Sequence, residues 1–218
     1  MENKSSKSTV IITLIVIIVL AIGAYFIFRP QSPVKPAVTI DTTNQPTMGN
    51  PQAAISIVSF EDLKCENCRR FNITLFPQIK QKYIDTGKAK YTLINVAFIP
   101  GSLPAANAAH CLYIQNKNYF FPFVEYLFEN QPPENQDWAT VPTLIQFAKV
   151  SVPKANLIDL SNCIIEARYA NFINNNLKMA ANVMGGEVAT PALYINGHKL
   201  ETFTLDAVDQ MINTLSKK

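Results

Sequence analysis

Cys65-Glu66-Asn67-Cys68 constrains this 218-residue chain more than any other stretch, because it follows the apolar run Ala54-Ile55-Ser56-Ile57-Val58-Ser59-Phe60 and opens a helical pattern. A strand that hands over to a helix places Cys65 at the helix N-terminus, where unpaired backbone N–H groups and the macrodipole favour a thiolate. Cys68 falls one turn further in, within reach of Cys65. The first sulfur is then suited to ionise near neutral pH and attack, and the second to resolve the mixed disulfide. On these four residues alone, half of a zinc site or a chance pairing of two cysteines remain open readings.

Spacing argues against zinc, which usually takes its four ligands as two close pairs. Cys111 and Cys163 stand far apart as singles, and His110 and His198 complete no knuckle with either. His110 lies beside Cys111, but neighbours on a helix point in different directions. His198, in Asn196-Gly197-His198-Lys199, reads as an exposed turn histidine. The net charge is +3, from 19 Lys+Arg against 16 Asp+Glu, and the basic residues are scattered, so no nucleic-acid or polyanion surface is implied. Thiol–disulfide exchange would need no cofactor beyond the cysteine disulfide itself.

Residues 1–9, with Lys4 and Lys7, precede an uncharged apolar run over residues 10–28, about the length a helix needs to cross a bilayer. The run reads as a transmembrane signal anchor with a cytoplasmic N-terminus, although Arg29 and Lys35 make the positive-inside asymmetry modest. A cleaved signal peptide is the rival, since Ile22-Gly23-Ala24 offers a small residue for cleavage. Against it, the apolar run continues through Tyr25-Phe26-Ile27-Phe28, past the point where a signal h-region stops. On either reading the remainder is exported to an oxidising exterior. Residues 29–52 carry prolines at 30, 33, 36, 46 and 51 among polar residues and read as a Pro-rich linker. Residues 53–218 suit one domain with its own core.

Within that domain the pattern predicts a strand over 55–60 and then a helix from Cys65 through Phe71, Leu75, Phe76, Ile79 and Tyr83, kinked at Pro77 and closed by Gly87. A second strand over 90–98 completes a βαβ unit, with parallel pairing and a right-handed crossover. From about 102 to 184 the pattern turns helical: 105–115, 119–129, 141–149, and one or two helices over 156–184. A strand at 192–195, the Asn196-Gly197 hairpin signal, a strand at 198–201 and an amphipathic helix over 205–215 follow. The class is α/β, split by a helical insert.

Three features together resemble a DsbA-like thiol-disulfide oxidoreductase of the thioredoxin superfamily, in its membrane-anchored bacterial branch: Phe60-Glu61-Asp62-Leu63-Lys64-Cys65-Glu66-Asn67-Cys68, the kinking Pro77, and Val188-Ala189-Thr190-Pro191-Ala192-Leu193-Tyr194-Ile195-Asn196-Gly197 beyond the insert. The resemblance implies a thioredoxin-like fold with a large helical insertion. It makes Cys65 the nucleophile and Cys68 the buried resolving thiol. Pro191, after Thr190, matches the family's cis-proline, whose loop packs on the active disulfide and pairs with substrate backbone; a trans proline that merely ends a loop is the plain alternative. Well-known oxidases of the family carry Pro-His between the cysteines, where this chain has Glu66-Asn67. A carboxylate beside Cys65 should repel the thiolate and raise its pKa, offset in part by Lys64, Arg69 and Arg70, which predicts a milder oxidant. Asp62 looks like the acid common just upstream of the motif, and reads either as a helix cap or dipole partner or as a proton relay. Ser59 stands where some relatives have a buried acid.

Some relatives carry a structural disulfide in the insert, which implies that Cys111 and Cys163 are bridged; two inert buried thiols is the alternative. The resemblance implies an exported, monomeric enzyme that donates its Cys65-Cys68 disulfide to unfolded or reduced exported proteins. It would be reoxidised by a membrane quinone-linked partner, DsbB-like or VKOR-like. A reductase or isomerase of the same fold, or a non-catalytic exported binding module, are the alternatives.

Overall fold

The structure, a computed structural model, describes residues 10–20 and 36–216. They fall in two units divided between Val34 and Lys35. In the first, residues 10–20 are helical. Among the described residues no helix is long and apolar enough to cross a membrane. The rest of the predicted 10–28 anchor, and residues 1–9, lie outside the described residues.

The second unit is built on a five-stranded sheet of β1 (Thr47–Gly49), β2 (Ile55–Asp62), β3 (Ala89–Val96), β4 (Ala192–Ile195) and β5 (His198–Lys199), in the order β1-β3-β2-β4-β5. β2 and β3 run parallel, from Ile55 opposite Ala89 to Asp62 opposite Val96, and the other three pairings are antiparallel. Alternation along β2 sends Ile55 and Ile57 into one hydrophobic cluster and Val58 and Phe60 into another. Helices cover both faces, which is why β2 and β3 read as near-continuous apolar runs.

The crossover between β2 and β3 holds α1 (Glu66–Thr74), α2 (Phe76–Ile79) and a π-helical turn (Lys80–Ile84). The predicted kink is present. Pro77 has no N–H to donate, so α1 ends at Thr74 with Leu75 as its C-cap, and α2 restarts with the proline in its first turn. β3 stops at Val96, short of the predicted Phe98, because the Phe98 and Ile99 N–H groups turn to the Asp62 carboxylate.

The insert supplies α3 (Leu103–Gln115), a short 3₁₀ turn, α4 (Phe120–Asn130), α5 (Val141–Ser151), α6 (Leu157–Ile165) and α7 (Ala170–Met184). Leu112, Phe123, Leu127, Leu144 and Leu160 join α3 to α6 to the larger core. A Cys111–Cys163 disulfide, with an S–S distance of 2.02 Å, ties α3 to α6. The buried Asn107 side chain braces it, donating to the Cys163 carbonyl at 2.8 Å and accepting from the Tyr169 N–H at 2.8 Å. α7 differs from the others. Its Ala180, Leu177 and Met184 pack with Val58, Phe60 and Tyr194 on the opposite face of the sheet. The predicted 102–184 insert therefore includes one helix that is a layer of the sheet domain itself. Helical period gave its apolar face but not what that face meets.

The predicted linker over 29–52 needs a similar correction, since β1 lies within it. Thr47 pairs with Thr92, Gln45 donates to Asn176 at 2.7 Å, and the Val38 N–H donates to the Gly197 carbonyl at 2.9 Å. Gly49 adopts φ +91°, and a Cβ there would lie 2.7 Å from the Ala89 carbonyl oxygen, so the close approach of β1 to β3 requires glycine. Three residues without alternation carry no strand signal; pairing makes them a strand. His198 is half-buried opposite Ile195 in the β4–β5 ladder, not exposed in a turn. α8 (Leu205–Leu215) closes the chain as predicted.

Candidate active site

Cys65 is the N-cap of α1, with extended backbone (φ −69°, ψ 125°) and no side-chain cap. Its N–H donates to the Asp62 carbonyl and its own carbonyl accepts from Arg69, both at 3.0 Å, so the junction between strand and helix fixes the sulfur at the helix mouth. Both cysteines are free thiols, Cys65 at 5% exposure and Cys68 at 0%. The Cys65 thiol donates to the Thr190 carbonyl at 3.6 Å, and the Thr190–Pro191 peptide is cis, so the loop before β4 lies against the nucleophile.

The two thiols are driven apart. A hydrogen bond from Cys68 is the main influence bringing the Cys65 pKa down from 9.0 to about 6, aided by Thr190 and the Cys68 and Asn67 N–H groups and opposed by burial. Burial first, then that same hydrogen bond, pushes the Cys68 thiol well up. The net shift at Cys65 is downward despite Glu66, which is exposed on the first turn, because the neighbouring donors dominate. The N–H of Glu66 donates to the Glu134 carboxylate at 2.8 Å. Asn67 is exposed at the mouth of the site.

Asp62 does not cap α1 with its side chain, the role that one of its two readings expected. Fully buried, it accepts from the N–H groups of Lys64, Phe98 and Ile99 at 2.9, 3.0 and 3.1 Å and from the Ser102 hydroxyl at 2.9 Å. It pins residues 98–102 to the turn before Cys65. None of these donors belongs to α1 or to the sulfurs.

The acid that does face the thiols is Glu61, which the sequence reading passed over. It shares the face of Ile57 and Ser59 and is fully buried, accepting from the Ser59 hydroxyl and the Tyr91 phenol, each at 2.7 Å, and from the Asn72 amide. That amide also donates to the Cys68 carbonyl at 2.9 Å, linking acid and resolving cysteine. Burial raises the Glu61 pKa to about 7; the hydrogen bonds oppose the rise and charge on Cys65 adds to it. Parity was the available signal: a residue two beyond Ser59 along a strand faces the same way.

Beside Cys65 lies a groove of about 290 Å³ lined by Asn67, Phe71, Leu75, Thr190, Pro191 and Phe203, among others. Phe203, 38% exposed, meets Phe71 edge-on at 5.8 Å. Phe203 is a second residue the sequence reading missed, for it belongs to no element. Among the described residues no group of three or more His, Cys, Asp or Glu is placed to hold a metal ion. His110 stacks on Phe172 at 4.1 Å, and burial lowers its pKa to about 4, so it serves the core as a neutral ring. The arrangement pairs an ionisable sulfur, 5% exposed beside the groove, with a fully buried partner and a buried acid, groups suited to reversible disulfide exchange.

Comparison with known proteins agrees with this chemistry. A family profile described as Thioredoxin matches residues 41–214. Disulfide bond formation protein D of Bacillus subtilis is 32% identical over 177 residues, covering 80% of this chain and 77% of the relative. A probable disulfide bond formation protein D of Bacillus cereus is 28% identical over 222 residues, covering 100% and 99%. Among solved structures, oxidised BdbD from Bacillus subtilis superposes with a TM-score of 0.78 at 29% identity, over 84% of this chain and 98% of that one. DsbA of Chlamydia trachomatis gives 0.75 at 30% identity with the same coverage.

Proposed function

Given that the chain belongs to the thioredoxin family and is a DsbA-like thiol-disulfide oxidoreductase, we propose that it works as an oxidase, passing its Cys65–Cys68 disulfide to reduced proteins outside the cytoplasmic membrane. The observation that carries this reading is the opposed ionisation of the two thiols. A client thiolate attacks Cys65, the Cys65–Cys68 bond breaks, and the electron pair leaves on Cys68. Cys68 is a poor thiolate, so it takes a proton from Glu61, whose pKa of about 7 leaves a large protonated fraction at neutral pH. A second client thiolate then attacks its own mixed disulfide, and Cys65 leaves readily because its pKa is about 6. The client gains a disulfide and the enzyme holds two electrons. A membrane quinone-linked reoxidase of the DsbB-like or VKOR-like kind would remove them.

The groove beside Cys65 suits an extended client segment with apolar side chains, which an unfolded protein offers. The apolar run over 10–28 supports membrane anchorage, and Lys4 and Lys7 before it favour a redox domain on the outer side. Redox equilibration of the Cys65–Cys68 pair with glutathione tests the direction. A potential well above about −270 mV, the value for thioredoxin, supports an oxidase, and one at or below it would make the protein a reductant. Mass analysis of the mature protein tests the anchor: an N-terminus just after Ala24 would reject it.

A further inference from the structure

The segment between α4 and α5 grips the nucleophile's backbone from both sides. Gln131, buried, donates its amide to the Lys64 carbonyl at 2.5 Å, just before Cys65. Glu134 accepts the Glu66 N–H at 2.8 Å, just after it. A turn closed by the Gln136 N–H on the Pro133 carbonyl at 3.0 Å presents Glu134, which is half-buried. An N–H in the first turn of the redox helix, one of the donors whose partial positive charge favours a thiolate, is thus already taken by a fixed carboxylate.

We infer that Glu134 is a positioning residue that competes with the Cys65 thiolate for the positive end of α1, and so moderates how strongly the enzyme oxidises. Its negative charge disfavours the thiolate, and the thiolate is what stabilises the reduced enzyme. Glu134 would thus add, from 68 positions further along the chain, to the moderation expected of Glu66. The inference rests on Cys65 being the attacking sulfur, and it holds whichever direction the enzyme runs.

The test is Glu134→Gln, which keeps an oxygen acceptor for the Glu66 N–H and removes only the charge. Glu61 and Asp62 on β2, Lys64 in the turn, Glu66, Arg69 and Arg70 on α1, and Asp137 near Lys64 in the same α4–α5 segment are charged groups close to Cys65 in the fold or the sequence, and the variant retains them all. In the reaction that consumes the enzyme disulfide and two glutathione thiols and yields the enzyme dithiol and glutathione disulfide, the variant's equilibrium constant should rise about threefold at low salt. The pH midpoint of Cys65 alkylation should fall by about half a unit. Both differences should shrink in high salt, because the carboxylate is only half-buried. A variant with an unchanged equilibrium constant and midpoint, or one shifted toward higher pH, overturns the inference. Glu134→Ala serves as the second arm: it also frees the N–H, and it should shift both readouts at least as far. Cys65→Ala separates the inference from the reading beneath it, because rapid alkylation persisting there would mean that Cys65 is not the nucleophile.

Discussion

Removing the Cys68 thiol should raise the Cys65 pKa, because the hydrogen bond from Cys68 is the largest influence holding it down at about 6. A hydrogen bond to a charged group is worth about 1.5–3 kcal/mol, and a thiol is a weak donor, so the lower figure applies. At about 1.4 kcal/mol per pH unit, Cys68→Ala should move the titration midpoint up by about one unit, to near pH 7. For the wild type, a folded-state pKa depressed from 9.0 to about 6 contributes stability to the reduced protein that is complete above pH 9 and lost as pH falls through 6. At pH 7 that contribution is about 1 kcal/mol once partial solvent access is allowed for, or about 20 mV toward a more oxidising couple. The potential should therefore change by about 60 mV per pH unit below pH 6 and about 30 mV above it, as one of the two protons drops out. Iodoacetamide kinetics across pH, on reduced wild type and on Cys68→Ala, measure the midpoints. A wild-type midpoint above pH 8, or an unmoved midpoint in the variant, would refute the electrostatic account of this site.

Glu61→Gln should slow client oxidation about tenfold or more near pH 6, where Glu61 is mostly protonated, because Cys68 loses its proton source, and the difference should shrink above pH 7 as the wild-type carboxyl ionises. The same variant should remove a stability loss of about 3 kcal/mol between pH 4.5 and 7, because a raised carboxyl pKa costs the fold as pH rises through that window; denaturant titrations at pH 5 and 8 read it. Replacing both Cys111 and Cys163 with Ala opens a loop spanning 52 residues and should cost up to about 4 kcal/mol, roughly 10 °C in melting temperature, while most oxidase turnover persists. Loss of turnover in a folded double variant would make that pair part of an electron relay. Phe203→Ala should lower kcat/KM for an unfolded protein by about tenfold and leave exchange with glutathione unchanged, because glutathione is too small to need the apolar groove; equal losses on both would put Phe203 outside client binding.

Local chemistry governs the parts of this protein that are legible from residue order alone. A strand running into Cys65-Glu66-Asn67-Cys68 had to put one sulfur at a helix mouth and the other one turn in, and Pro77 had to break the helix, because these follow from backbone donors and from 3.6-residue spacing. The Asn196-Gly197 hairpin was legible for the same reason, and the structure has Asn196 and Gly197 both at positive φ. What lay beyond pattern was everything set by contacts between distant segments. β1 exists because β3 pairs with it, and α7 is a layer of the sheet domain because its apolar face meets Val58 and Phe60. The same holds at the site. Glu66 is next to Cys65 in sequence, yet the thiol's pKa is set by Cys68, by Thr190 from 125 residues away and by local N–H groups, while Glu61 acts from beneath. Electrostatic influence falls with distance in space and rises with burial, and neither quantity exists until the chain has closed on itself.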